Sequence, residues 1–91
     1  METIIISLGG SLIVPEHIDT DFLKDFRALI LSQVERGKRF VIITGGGKIA
    51  RRYIDVAKEL TEPSTEDLDF IGIAALKLNA ELLRVIFGKY A

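Results

Sequence analysis

The chain has 91 residues, a length that fits one domain and leaves no room for a second. Hydrophobic residues make up 48%, enough to predict a folded chain, while 12 basic and 13 acidic residues nearly cancel and leave no field to attract nucleic acid or an anionic membrane. With no cysteine, a single His17 and no apolar run long enough to span a bilayer, the composition disfavours disulfides, a metal site and a membrane protein, and is compatible with a cytoplasmic location.

The first strand and the first helix are predicted from contrasting patterns. Residues 4–8 form a short apolar run rich in β-branched side chains and ended by two glycines, which is typical of a strand buried on both faces. After a loop, Asp19 or Thr20 can cap a helix that ends at Gly37. The apolar positions of this helix recur at helical spacing: Phe22, Phe26, Leu29, Ile30 and Val34.

A second buried strand is predicted at residues 40–43, and it runs through Thr44 into three glycines at 45–47. Strand, helix and strand in this order indicate parallel pairing with a right-handed crossover. Both glycine loops, at 9–11 and 45–47, should then lie at the same carboxyl edge of the sheet, where open α/β sheets bind ligands.

Two further helices follow, at residues 48–60 and 65–87. The first carries one apolar stripe and ends at Thr61-Glu62-Pro63. The second is predicted to turn Leu68, Ile71, Ala75, Leu78, Leu82 and Ile86 inward, and its remaining circumference is largely apolar as well. Such a helix needs partners on two sides, so we predict a homo-oligomer that pairs through residues 65–87.

The first glycine loop, Gly9-Gly10-Ser11, directly follows a strand, so its backbone can approach a ligand and offer N–H donors to phosphate oxygens. Taken singly, this loop is more often only a tight connection. It therefore supports a phosphate site only in combination with the second loop.

The second loop is more informative, because Gly45-Gly46-Gly47 places bare amides at a helix N-terminus, where anions are favoured. Lys48, Arg51 and Arg52 add cations to the first turns, where the helix dipole disfavours positive charge unless an anion is near. A solvated basic face is the alternative interpretation. Neither loop is a Walker A motif or a dinucleotide fingerprint.

Three polar residues have a structural interpretation beside a functional one. Asp69, near the start of the last helix, is by default a compensating charge or cap, with ribose binding as the minority alternative. Asn79 lies on an apolar stripe and is either a satisfied buried amide, the interpretation we favour, or a contact to a paired helix. His17 is expected to be exposed in a loop.

In this order the segments resemble the amino-acid kinase superfamily and, within it, the archaeal-type uridylate (UMP) kinases, over nearly the whole chain. The glycine loops indicate the superfamily, and the spaced Arg51 with an Asp-x-x-Gly-x run selects the UMP kinases. The matching segments are Ile6-Ser7-Leu8-Gly9-Gly10-Ser11, Thr44-Gly45-Gly46-Gly47-Lys48-Ile49-Ala50-Arg51-Arg52-Tyr53, Asp69-Phe70-Ile71-Gly72-Ile73 and Leu78-Asn79-Ala80.

The resemblance implies a reaction, ATP plus UMP giving ADP plus UDP, with Mg²⁺ as the metal and no metal-binding residue assigned in this chain. It implies that ATP phosphates lie at Gly9, Gly10, Ser11 and Gly47, and that UMP lies at Gly46, Gly47, Arg51 and Asp69. No catalytic residue is assigned. Catalysis would come from positioning and from neutralising phosphate charge.

The expected fold is a three-layer αβα sandwich fragment with parallel strands, in which residues 1–91 form one domain, the N-terminal part of an amino-acid kinase-like fold. The ATP-binding C-terminal half of the family lies beyond residue 91, so the chain alone is expected to be incomplete and inactive. The alternative is a non-catalytic interaction module in which the glycines serve only tight turns. Ser7 departs from the family pattern, because many members have a lysine there.

Overall fold

The computed structural model describes residues 2–91. Two strands and four α-helices follow one another, and a short 3₁₀ turn ends the chain. In order they are β1 (Thr3–Leu8), α1 (Gly10–Ile13), α2 (Thr20–Glu35), β2 (Arg39–Thr44), α3 (Gly47–Leu60), α4 (Thr65–Phe87) and the 3₁₀ turn (Gly88–Tyr90).

The two strands pair in parallel, as the strand, helix, strand order predicts. Thr3 lies opposite Arg39 at the start of the ladder, and Leu8 lies opposite Thr44 at its end. The ladder continues one step further, because the Gly45 amide donates to the Leu8 carbonyl oxygen at 3.3 Å. The α/β class with parallel strands is thereby confirmed, and both glycine loops begin at one edge of the sheet.

The prediction that both strands are buried on two faces is wrong for the described residues. Both strands alternate, with Leu8 and Thr44 buried while Ile5 and Ile43 are 68% and 55% exposed. The helices of residues 2–91 pack against one face of the sheet. The other face, which carries Ile5, Val41 and Ile43, is open to solvent.

The core lies between the covered face of the sheet, α1, α2 and the C-terminal half of α4. The Phe26 ring of α2 meets the Phe87 ring of α4 edge to face, with centroids 6.2 Å apart. Arg27 Nε also donates to the Ile86 carbonyl oxygen at 2.9 Å, which ties the same two helices together. The buried members of this cluster are Leu8, Ile13, Val14, Leu23, Ile30, Leu83 and Phe87.

Helix α2 begins and ends at the residues that the sequence predicts. Asp19 is the N-cap, and its carboxylate accepts a hydrogen bond from the Phe22 amide at 3.0 Å. Gly37 follows the helix with φ of +87°, a conformation that glycine adopts without a steric penalty. The four-residue helix α1 is an addition that periodicity did not predict.

Helix α4 has the predicted bounds, and its predicted inward face is confirmed in part, since Ala75 is buried and Leu82 and Ile86 pack against the core. Its buried residues are Ala75, Asn79, Leu83 and Phe87, which follow one another every four residues. Leu78, predicted to point inward, is instead 63% exposed. An apolar pattern around most of a helix does not say which stripe faces the core, and here hydrogen bonds to the end of β2 select it. No helix within residues 2–91 is long and apolar enough to cross a membrane.

Candidate functional site

The two glycine loops lie against each other at the carboxyl edge of the sheet. A Cβ atom added at Gly10 would be 2.5 Å from the Gly45 carbonyl oxygen and from the Gly47 amide nitrogen. A Cβ atom at Gly47 would be 2.7 Å from the Ser11 amide nitrogen. The predicted neighbourhood of the loops is therefore present, and it depends on the absence of side chains at the contact.

The second loop needs glycine for its conformation as well. Gly47 has φ of +63°, which residues with a Cβ rarely adopt. Gly9, by contrast, has an ordinary extended backbone, and a Cβ there would meet no heavy atom of residues 2–91 within 4 Å. The edge formed by the two glycine loops, here called the shared glycine rim, is thus tightly packed where Gly10 meets Gly47. At Gly9 it has free space.

Helix α3 begins at the second loop without a side-chain cap. Gly46 is its N-cap residue, no side chain among residues 2–91 bonds to its first amides, and its first turn has no acidic residue. Amides at a helix start carry partial positive charge and need an acceptor. The start of α3 therefore offers donors to an acceptor from outside the helix.

Glu16 supplies a carboxylate that the sequence prediction missed. Its Oε2 atom lies 2.7 Å from Arg52 Nη2, and its Oε1 atom lies 3.7 Å from Lys48 Nζ. The hydrogen bond from Arg52, the charge of Arg52 and the charge of Lys48 together lower the pKa of Glu16. Two of the three cations near the start of α3 thus have an anion within the chain, and the charge mismatch is weaker evidence for a ligand than the sequence suggested.

Arg51 is the third cation, and it differs from the other two. It is exposed and forms no ion pair with any residue in the described range 2–91. It follows Gly47 by four residues, so it lies on the same helix face as that glycine, one turn further on. Arg51 is therefore the one of these three cations without an ion-pair partner among residues 2–91.

Asp69 is exposed and does not cap α4, so the capping interpretation of this residue is wrong. The cap is a reciprocal pair: the Asp67 amide donates to Ser64 Oγ at 3.0 Å, and the Ser64 amide donates to Asp67 Oδ2 at 3.2 Å. Asp69 instead lies one turn before Gly72, whose carbonyl oxygen is 3.3 Å from the position of a Cβ at Gly46. Its helix turn therefore adjoins the second glycine loop.

Asn79 holds α4 against the same loop. It is buried, and its side-chain Nδ2 donates to the Gly45 carbonyl oxygen at 2.9 Å. The Thr44 hydroxyl similarly donates to the Leu76 carbonyl oxygen at 3.0 Å. The interpretation of Asn79 as a satisfied structural amide is confirmed, and its role is to fix the loop against the helix.

Other features of the surface lie apart from the loops. His17 is exposed, as expected. A cavity of about 580 Å³ lies between α2, β2 and the C-terminal end of α4, and Lys38, Arg39 and Arg84 are the charged residues that line it. Within residues 2–91 no group of three or more histidine and acidic residues could hold a metal ion. The two glycine loops line neither this cavity nor a metal site, so their candidate role rests on their backbone contact and on the start of α3.

Known proteins share the sequence pattern and the fold of this chain. The sequence profile of the Amino acid kinase family matches residues 2–91. The chain belongs to the amino acid kinase family. It is 41% identical to the uridylate kinase of Thermococcus kodakarensis over 97% of this chain and 38% of that protein. It is 46% identical to the uridylate kinase of Thermoplasma volcanium over 87% of this chain and 34% of that protein.

A solved structure in the amino acid kinase family has the same fold. The chain superposes on the uridylate kinase of Archaeoglobus fulgidus with a TM-score of 0.76 and 39% sequence identity. The match covers 97% of this chain and 38% of that one. The chain therefore spans less than two fifths of the length of these relatives.

Proposed function

We propose that this chain carries the phosphate- and UMP-binding loops of a uridylate kinase, an enzyme that converts ATP and UMP into ADP and UDP. The observation that carries the proposal is the contact between two glycine loops at the uncapped start of α3. The names of relatives about 40% identical supply the reaction, and the chain spans 38% of the first of them. We expect this chain alone to bind substrates without turning them over.

In the proposed site each residue has a role that its chemistry allows. The amides of Gly9, Gly10, Ser11 and Gly47 donate to ATP phosphates, and Gly46 with Arg51 holds the UMP phosphate. Asp69 accepts hydrogen bonds from the ribose hydroxyls. A phosphate oxygen of UMP would attack the γ-phosphorus in line, so the chain's contribution is to place and neutralise the phosphates.

The described residues do not by themselves fit a resident Mg²⁺ ion, because residues 2–91 hold no cluster of three acidic or histidine ligands. Mg²⁺ commonly keeps several waters and binds through substrate phosphates. We therefore assign none of these residues to the metal.

Arg51→Ala tests the phosphate site directly. Titration of UMP into the chain by calorimetry should show saturable binding, and loss of a charge-assisted contact costs about 1.5 to 3 kcal/mol, so the variant should bind roughly tenfold or more weakly. Arg36→Ala is the matched control, since Arg36 is an exposed arginine at the C-terminus of α2, before the opposite end of β2. Absence of saturable binding, or equal losses in both variants, would contradict the proposal.

The alternative function, a non-catalytic assembly module, is favoured by one observation on α4. This helix exposes four large apolar side chains, those of Phe70, Ile73, Leu78 and Val85. We propose that two copies pair through residues 65–87, whichever function holds. Sedimentation at several concentrations should detect a dimer, and Leu78→Lys should shift it toward monomer; a monomer at every concentration would contradict the pairing.

A further inference from the structure

The segment that joins the first glycine loop to α2 is held at both ends. Val14 is buried in the core, and the Asp19 amide donates to the Ile13 carbonyl oxygen at 2.8 Å. Asp19 is in turn the cap of α2. Glu16 therefore projects from a short closed loop whose ends are fixed to the core.

The carboxylate of Glu16 bridges two turns of α3. Lys48 and Arg52 are four residues apart, so they lie on one face of the helix, and both contact the same carboxylate. This connects the chain just after the first glycine loop to the helix that begins at the second. Gly10 and Gly47 meet through backbone atoms only. The Glu16 bridge adds a contact between side chains to the two loop regions.

Stability alone is a weak reason for this bridge. The side chains of Glu16, Lys48 and Arg52 are 68%, 48% and 54% exposed. Ion pairs this exposed contribute little to folding, because water screens them and the side chains lose rotamer freedom. A further consequence of the bridge is a bias on the orientation of the start of α3, which is limited to the same small free energy.

We propose that Glu16 is a positioning residue of the phosphate site: it holds the first two turns of α3 against the segment after the first glycine loop. In this arrangement the amides of the two loops keep a common alignment. Lys48 and Arg52 are engaged by Glu16, which leaves Arg51, on the face of Gly47, as the cation for the ligand phosphate. The inference rests on the proposed function.

A positioning role and a purely electrostatic role of Glu16 predict opposite changes in UMP affinity for Glu16→Gln. Removing a negative charge close to an anionic ligand strengthens binding by Coulomb's law. Releasing the bridge lets the start of α3 move and weakens binding. The amide side chain has nearly the shape of the carboxylate, so the sign of the change separates the two effects.

The binding test compares UMP affinities by calorimetry at one ionic strength. Glu16→Gln should weaken UMP binding about two- to fivefold, the range expected for the loss of exposed pairs. Glu16→Asp keeps the charge but shortens the reach, and it should weaken binding too. Glu81→Gln is the matched control, because Glu81 pairs with Arg84 on the exposed side of α4, and it should leave the affinity unchanged. Equal or tighter UMP binding by Glu16→Gln would overturn the proposal.

A second measurement needs no ligand and separates this inference from the proposed function. Amide hydrogen exchange of the free chain should be faster in Glu16→Gln at residues 10–14 and 47–52, and unchanged at α2 and β2. Unchanged exchange at both loops would overturn the positioning role. If the wild-type chain binds no UMP, the proposed function fails, and the exchange result still decides whether Glu16 aligns the loops.

Discussion

The N-termini of α3 and α4 are built in opposite ways. Helix α4 begins with a complete capping box between Ser64 and Asp67, and two acidic residues occupy its first turn. Helix α3 begins with Gly46, has no side-chain cap from residues 2–91 and no acidic residue in its first turn. The first amides of both helices need hydrogen-bond acceptors. Helix α4 has a side-chain acceptor among residues 2–91, and helix α3 has none.

This difference separates a helix start that serves stability from one with amides available for binding. The capping box satisfies the start of α4 from within the chain. At α3 the glycines bring the first loop into backbone contact, and Glu16 engages two side chains of the helix and not its amides. Substitutions near the start of α3 should therefore change both stability and UMP binding, whereas loss of the α4 cap should change stability alone.

The largest effect is expected from Gly10→Ala, which forces the two glycine loops apart. The new Cβ would lie 2.5 Å from the Gly45 carbonyl oxygen, a backbone atom that cannot rotate away. Overpacking of this kind costs about 1 to 3 kcal/mol, so the free energy of unfolding measured in urea should fall by that amount. UMP binding should weaken as well.

Gly9→Ala is the matched control for this substitution, because a Cβ at Gly9 would meet no heavy atom of residues 2–91 within 4 Å. Its unfolding free energy should stay within about 0.5 kcal/mol of wild type. If both variants lose the same stability, the loops do not depend on close approach at Gly10, and the proposed contact between them is wrong.

A smaller effect is expected from Ser64→Ala, which removes the cap of α4. Loss of an N-cap hydroxyl costs about 0.5 to 2 kcal/mol of stability, visible as a lower urea midpoint at constant slope. UMP affinity should change little, because the capping residues Ser64 and Asp67 bond to each other and are not part of the proposed site, to which α4 contributes only Asp69 in its next turn. Ser32→Ala, an exposed serine within α2, provides the control and should be nearly neutral. Weaker UMP binding by Ser64→Ala would erase the distinction between the two helix starts.

The smallest effect on stability is expected when the pH is lowered through the pKa of Glu16. The folded-state pKa of Glu16 lies below the ordinary glutamate value of 4.5, because Arg52 and Lys48 favour the carboxylate. A depressed pKa contributes stability at pH values above 4.5, and this contribution is lost as the pH falls through the folded-state pKa. A carbon-detected NMR titration should give Glu16 a lower midpoint than in the Arg52→Ala variant. The same midpoint in both would show that the ion pair is absent in solution.

Much of the fold was predictable because its signals are local. The β-branched runs before each glycine loop predicted the two strands, and Asp19 and Gly37 marked the ends of α2. The exposed second face of the sheet was not predictable, since an apolar run such as residues 4–8 cannot report what covers it. The buried stripe of α4 was partly missed for a related reason: Asn79 selects it through a hydrogen bond to Gly45.

The candidate site was predictable where glycines are required and not where a distant charge contributes. Gly10, Gly46 and Gly47 stood out because bare backbone between a strand and a helix indicates either a tight turn or a close approach of another group. Glu16 gave no signal, since 36 residues separate it from Arg52 and no periodicity links a loop to a helix face. Asp69 was interpreted as a cap by its position, although Ser64 and Asp67 already fill that role.

The most direct test is an NMR titration of the ¹⁵N-labelled chain with UMP. The amide resonances of Gly46 and Arg51 should shift together with UMP and saturate with one dissociation constant. A second titration with ATP should shift those of Gly9, Gly10, Ser11 and Gly47. The resonances of the capped amides at the start of α4 should not shift in either titration. Absence of saturable shifts at the glycine loops, or equal shifts at both helix starts, would contradict an anion site at the shared glycine rim.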